Sequence, residues 1–152
     1  MKKRNFILLF IVMFSSMIFG QTKQNAIGLR FGGGDAVGSE ISYQKALKAN
    51  NRLEVDLGFA SNNTLNRMQI TGLYQWVWEI QGALDWYAGV GGGLGQANYK
   101  NSGNDFQLYL NGGIGIQYHL DIPVQFSLDL RPAFGTSQFD NSSLALAVRY
   151  MF

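Results

Sequence analysis

The 152-residue chain contains no cysteine. That excludes disulfides, thiolate metal sites, a cysteine nucleophile and a lipidated N-terminal cysteine. A single histidine, His119, excludes a His-rich metal centre. Proline is scarce, at two residues, and only 14% of the chain is charged. A disordered chain would be richer in both. The length suits one domain. What the chain has instead is 19 glycines and an aromatic content of 14%. Those residues favour strands and turns over helices.

The net charge of +2 is set by the beginning of the chain. Lys2, Lys3 and Arg4 precede an unbroken apolar run, Phe6–Phe14, followed by Ser15, Ser16 and Met17–Phe19. Gly20 then leads into the polar stretch Gln21–Asn25. A basic start, a short apolar segment and a small residue at the cut predict a cleaved secretory signal peptide over residues 1–20. The apolar run is too short for a transmembrane helix. Losing Lys2, Lys3 and Arg4 leaves nine basic residues against ten acidic ones, a net charge of −1. No basic patch remains, which argues against a nucleic-acid partner.

Residues 21–152 alternate between apolar and polar almost throughout, the period of a strand with two unlike faces. Eight such segments are separated by turn residues. One face carries Ile27, Leu29 and Phe31, then Leu53, Val55, Leu57 and Phe59. It continues through Tyr74, Trp76, Trp78 and Trp86 to Leu144, Leu146, Val148 and Tyr150. The other face is mostly Gly, Gln, Ser, Asn and Ala. Short turns fall near Ala49–Asn51, Ile80–Ala83 and Leu120–Pro123, and the longer links are Gly33–Gly38, Ser61–Asn66, Gly95–Asp105 and Gly135–Ser142. Eight strands of roughly 9–13 residues suit a tilted crossing of a bilayer. Short turns at one end and longer links at the other predict an all-β, eight-stranded, antiparallel up-and-down transmembrane barrel over residues 21–152.

A surface of Gly, Gln, Ser and Ala is poor for contact with water but suits the lining of a narrow barrel. The apolar face is therefore assigned to lipid. Phe31, Phe59, Phe106 and Phe134 fall at one end of their strands; Trp76, Trp78, Trp86, Tyr118 and Tyr150 fall at the other. They are the expected interfacial girdles. The lining face carries Arg30, Glu40, Arg52, Glu54, Asp56, Glu79, Asp85, Asp129, Arg131 and Arg149. Buried charges need partners, so these are expected to form an internal network that plugs the bore. The functional alternative is a narrow conduit for protons, ions or a small apolar molecule. Lys45 breaks the pattern, on the lipid-facing row near the expected periplasmic interface. Either it snorkels or a bulge changes the register there.

No catalytic constellation stands out. His119 could be oriented by Asp85 or Glu79, but no lining serine is expected at that height. The glycine clusters Gly32–Gly34 and Gly89–Gly95 are followed by no helix and are not phosphate loops. No metal, cofactor or catalytic residue is assigned.

The signal peptide, the eight alternating segments and the terminal run Leu144–Phe152 resemble small bacterial outer-membrane β-barrels of the OmpA/OmpX type. The stretch Asp121–Pro132 is also similar to the penultimate strand of such barrels. The resemblance implies an outer-membrane location and outer-membrane lipids as surroundings. It also implies that Phe152 is read by the assembly machinery. It further implies a structural or interaction role rather than an enzymatic one, with an unidentified partner at the extracellular loops. A lipid-modifying enzyme on the same fold is the remote alternative. Gly95–Asp105 is the longest expected loop and the first candidate contact surface. The loops are shorter than those of OmpX-like adhesins, which argues against a protruding sheet.

Overall fold

Alternation of apolar and polar residues becomes eight strands that close on themselves. The computed structural model describes residues 25–32, 38–48, 50–61, 63, 65–100, 103–135 and 142–152. The expected signal peptide lies outside them. The strands are β1 (Asn25–Gly32), β2 (Gly38–Lys48), β3 (Asn51–Ser61), β4 (Leu65–Gln81), β5 (Leu84–Tyr99), β6 (Gly103–His119), β7 (Val124–Gly135) and β8 (Ser142–Met151). Each pairs antiparallel with the next, and β1 pairs with β8, giving a closed barrel. Closure leaves no free edge around the wall, the condition for a sheet surrounded by lipid.

Register fixes the tilt. Partner residues lead from Ile27 through Tyr43, Val55, Gly72, Gly92 and Leu110 to Phe134 on β7. In the other direction they lead from Ile27 through Tyr150 to Val124, ten residues earlier on β7. A shear of ten residues over eight strands tilts the strands by about 40° from the barrel axis.

The burial pattern is inverted relative to a water-soluble protein. Leu110, Phe134 and Phe106 are about 70% exposed on the outer surface, whereas Glu54 and Arg149 are sealed inside. Asn25 and Phe152, the first and last described residues, share one end with the short turns, called here the turn end. Gly82, with φ of 57°, supplies the left-handed residue that the tight β4–β5 turn requires. The opposite end is the loop end.

Two expectations are corrected at the loop end. The link placed at Gly95–Asp105 is mostly strand, because β5 runs to Tyr99 and β6 starts at Gly103. The pairing of β6 with β7 begins only at Tyr109, opposite Gly135. Gly103–Leu108 therefore rises past β7 by about 20 Å along the strand. The loop end is raised on the β4–β6 side, where a protruding sheet was not expected. Tyr99, Asn98 and Ala97 find cross-strand partners in Gly103, Asn104 and Asp105, so the ladder continues where polar composition suggested a loop.

Inside, large side chains sit over glycines on neighbouring strands. A Cβ added at Gly115 would lie 2.5 Å from Cζ of Tyr87, and one at Gly113 would lie 3.3 Å from Cδ2 of Leu73. Gly72 faces outward, with nothing within 4 Å of an added Cβ. Gly115→Ala should therefore displace Tyr87 and destabilise the barrel by about 1–3 kcal/mol. Gly72→Ala should change stability by no more than about 0.5 kcal/mol. Urea unfolding of the two refolded variants measures both.

Candidate functional site

The lining side chains fill the bore in tilted layers, and the strand alternation decides which they are. At the turn end, His119 on β6 places Nε2 2.8 Å from Asp85 Oδ2 and Nδ1 3.2 Å from Met151 Sδ. Gln117 Nε2 also donates to Asp85, at 2.9 Å. One layer in, Arg52 Nε donates to Gln75 Oε1 and its Nη1 to Gln117 Oε1, both at 2.5 Å. Its guanidinium lies 4.6 Å from the ring centre of Tyr87, a cation–π contact between two buried side chains.

The middle of the bore is an alternating chain of arginines and carboxylates. Arg149 donates to Ser42 Oγ at 2.9 Å and Ser127 Oγ at 2.7 Å, and its Nη2 lies 3.3 Å from Glu54 Oε2. Glu54 also accepts from Gln44 and Arg131. Arg131 Nη1 donates to Asp56 Oδ2 at 2.5 Å, and its Nε lies 3.1 Å from Asp129 Oδ1. Asp129 accepts from Arg30 Nη2 at 2.5 Å and from Tyr87 Oη at 3.1 Å. Arg30 Nη1 reaches Glu40 Oε2 at 2.7 Å, and Gln69 caps Glu40 Oε1 at 3.0 Å. Above them Thr71 and Tyr109 share a hydroxyl–hydroxyl bond of 2.5 Å.

Two features make this a plug. Arg131 stands on β7 and its carboxylate partners Glu54 and Asp56 stand on β3, four strands away around an eight-stranded wall. The bond therefore crosses the full width of the bore. The charges also balance, with Arg30, Arg52, Arg131 and Arg149 against Glu40, Glu54, Asp56 and Asp129, all buried. Seven of the eight charges stand in ion pairs and Arg52 is held by Gln75, Gln117 and the Tyr87 ring, which lets the network tolerate burial without the pairs adding much net stability.

Of the ten charged residues expected on the lining, these eight are brought together. Asp85 is linked to them through Gln117 and sits at the turn-end mouth. Glu79 is exposed at the end of β4 and joins no ion pair among the described residues. Strand parity points it inward, but β4 pairs with β3 only as far as Trp76, so Glu79, still paired with Asp85, stands beyond the end of β3 beside the β4–β5 turn. Gln44, Tyr87 and Ser127 stand on the face that alternation assigns to the lining, but sequence reasoning did not name them with the charged network, and it did not place Leu73 there at all. Their signal was the same alternation, masked because none is charged.

The outer face carries the aromatic residues. Trp78 and Trp86 stack with ring centres 4.4 Å apart, and Tyr74 meets Trp76 edge-on at 5.0 Å. With Tyr118 and Tyr150 they lie toward the turn end, all exposed except the half-buried Tyr74. Phe31, Phe59 and Phe134 lie toward the loop end. Phe106 sits higher, on the raised part of β6, and does not share their level. An apolar groove of about 850 Å³ crosses this face between Val55, Ile70, Leu94, Leu108, Leu110 and Phe134, floored by Gly72 and Gly92. Among the described residues no cluster could hold a metal ion.

Removing Arg131 should leave Glu54, Asp56 and Asp129 short of a counter-charge. Arg131→Leu should lower the unfolding free energy by about 3–5 kcal/mol, read from urea unfolding in detergent micelles. Lys100→Leu, at the exposed hairpin tip, should change it by less than about 0.5 kcal/mol.

No protein-family model matches the chain, and no curated protein matches its sequence. Solved structures do match its fold. The N-terminal β-barrel domain of Pseudomonas aeruginosa OprF aligns with a TM-score of 0.76 at 16% identity, over 86% of this chain and 98% of that one. Neisserial surface protein A aligns with a TM-score of 0.65 at 17% identity, over 85% and 95%. Ail, the attachment invasion locus protein of Yersinia pestis, aligns with a TM-score of 0.58 at 13% identity, over 85% and 97%. At these identities the likeness is one of architecture. The chain has the fold of the small eight-stranded outer-membrane β-barrels.

Proposed function

We propose that the protein is a small, non-conducting integral barrel of the bacterial outer membrane, with a structural or recognition role seated at its loop end. The observation that carries this reading is the bore itself. Arg131 reaches across it to Glu54 and Asp56, and the eight charged side chains around that bond are all buried. The exposed apolar face takes lipid as its surroundings. The turn end faces the periplasm and the loop end the exterior, as the positions of Asn25, Phe152 and the short turns favour.

Specificity then belongs to the exterior rim. The raised β5–β6 hairpin is its most prominent part, with Tyr99 and Phe106 exposed. Ail has been described in complex with the heparin analogue sucrose octasulfate. By sequence the loop-end links and the strand ends beside them hold Arg67 and Lys100 against Asp35, Asp105 and Asp140, a balance that offers a polyanion no excess of positive charge. A lipid-modifying reaction has no observation in its favour, since the side-chain partners of His119 are Asp85, Gln117 and Met151. Phe152 is assigned to recognition by the assembly machinery. Its backbone closes the β1–β8 seam, with Phe152 N donating to Asn25 O at 2.9 Å and Asn25 N to Phe152 O at 3.1 Å.

The test is electrical. The refolded protein, inserted into a planar bilayer in potassium chloride, should give no steady current above that of the bare bilayer. Reproducible unitary steps would overturn the plugged reading and favour the conduit.

A further inference from the structure

Four rows of outward side chains climb the β3–β6 side of the barrel toward its raised rim, and their character changes from row to row. The lowest joins Val55, Gly72, Gly92 and Leu110, and continues to Phe134 on β7. The next joins Leu57, Ile70, Leu94 and Leu108. Above it stand Phe59, Met68, Gln96 and Phe106. The highest joins Ser61, Asn66, Asn98 and Asn104, all exposed. Its three asparagines are direct cross-strand neighbours, and Ser61 Oγ donates to Asn66 Oδ1 at 2.5 Å. This polar row lies six residues beyond the glycine row on each strand. That is about 20 Å along the strand.

Outward glycines are confined to the same side. Among the described strand residues, Gly72, Gly92 and Gly112 have outward parity, one each on β4, β5 and β6. The barrel's own packing does not account for Gly72. Inside the bore Gly115 makes room for Tyr87, but nothing lies within 4 Å of a Cβ added at Gly72. The side chain missing there leaves space on the outer face. That space belongs to the groove of about 850 Å³, which Gly72 and Gly92 floor and Ile70, Leu94, Leu108 and Phe134 wall.

From this we infer that the groove and the asparagine row above it form one site for a glycolipid of the exterior leaflet. An acyl chain lies in the groove, and an uncharged saccharide headgroup rests against Asn66, Asn98 and Asn104. The order of the rows is the order of parts in such a molecule, apolar toward the bilayer middle and polar at the surface. Each asparagine amide offers donors and an acceptor without net charge, which matches the donor and acceptor of a sugar hydroxyl. A phosphate headgroup would call for arginine or lysine in the row, and its four side chains carry no charge. Phe106, opposite Gln96 and 68% exposed, offers its ring to the carbon face of the sugar. Its place above the other phenylalanines is thereby given a purpose.

The site deepens the reading of the loop end as the seat of recognition and rests on the membrane setting, and the experiment separates them. The protein is reconstituted into nanodiscs of equal parts monoglucosyldiacylglycerol and phosphatidylcholine with identical acyl chains. Folding of each variant is checked by the difference in electrophoretic mobility between unboiled and boiled samples. Failure of the wild type to reconstitute as a heat-modifiable barrel would overturn the membrane reading and the site with it. Native mass spectrometry then counts the lipids that stay bound. Wild type should retain the glucosyl lipid over phosphatidylcholine by at least about fivefold, the worth of one net hydrogen bond. Joint replacement of Asn66, Asn98 and Asn104 by alanine should bring the ratio to that of the bulk mixture. Gly72→Leu fills the groove floor and should lose the retained glucosyl lipid from a folded barrel. Asn25→Ala, at the turn end, should leave retention unchanged. A folded wild type without preference, a preference that survives the triple substitution, or retention unaffected by Gly72→Leu overturns the site. Preferential retention of phosphatidylcholine would assign the groove to a phospholipid and overturn the saccharide headgroup.

Discussion

One interaction organises the interior, the reach of Arg131 from β7 across the bore to Glu54 and Asp56 on β3. A barrel that turns its apolar side chains outward has no hydrophobic core to fill its centre. Eight strands enclose too little space for bulk water and too much for backbone alone. The centre must be filled by side chains whose polar atoms satisfy one another, because an unpaired buried charge costs several kcal/mol. Arg131 and Arg149 converge on Glu54, Arg131 and Arg30 converge on Asp129, Gln44 donates to Glu54, and Gln75 and Gln117 accept from Arg52. Tyr87 belongs to the same system. Its hydroxyl donates to Asp129 and its ring lies against Arg52, over the space that Gly115 leaves open.

The outer face follows from the same inversion. Rows of Leu, Ile, Val and Phe meet lipid and need no partners, so the sequence is free to vary there in everything but polarity. The departures from that polarity are informative for that reason. Gly72 and Gly92 leave a shallow apolar groove. Lys45 places a charge on an otherwise neutral belt. The raised β4–β6 wall carries Phe106 beyond the level of the other phenylalanines, where a polar rim would be expected. These three features distinguish this barrel from a generic one, and none of them lies in the bore.

Much of the architecture was legible because a strand has a strict period. Alternation alone separates Arg30, Glu54, Asp129 and Arg149 from Leu29, Val55, Leu128 and Val148, and it places the first set inside. The register that puts Arg30 opposite Glu40 follows from the hairpin they share. What alternation cannot carry is contact across the bore, since Arg131 and Glu54 are 77 residues apart in the chain. It also cannot tell where a strand outruns its neighbour. Glu79 has the parity of a lining residue and ends exposed beside a turn. Gly95–Asp105 has the composition of a loop, yet Gly95–Tyr99 pairs with Gly103–Gln107 as a ladder, with Gly103 at a φ of 88° where its strand begins. Glycine positions such as Gly115 reveal their purpose only when the ring that occupies their space is known.

The account depends most on the claim that charges from opposite walls are coupled through the bore. A double-mutant cycle on Arg131→Leu and Glu54→Gln, read by urea unfolding of the refolded barrel, measures that coupling directly. Two buried partners in ion-pair contact should give a coupling energy of at least about 2 kcal/mol, with the double variant losing far less than the two single losses together. Additive losses, with coupling near zero, would mean that the two side chains do not meet and that the bore is not closed by this bond.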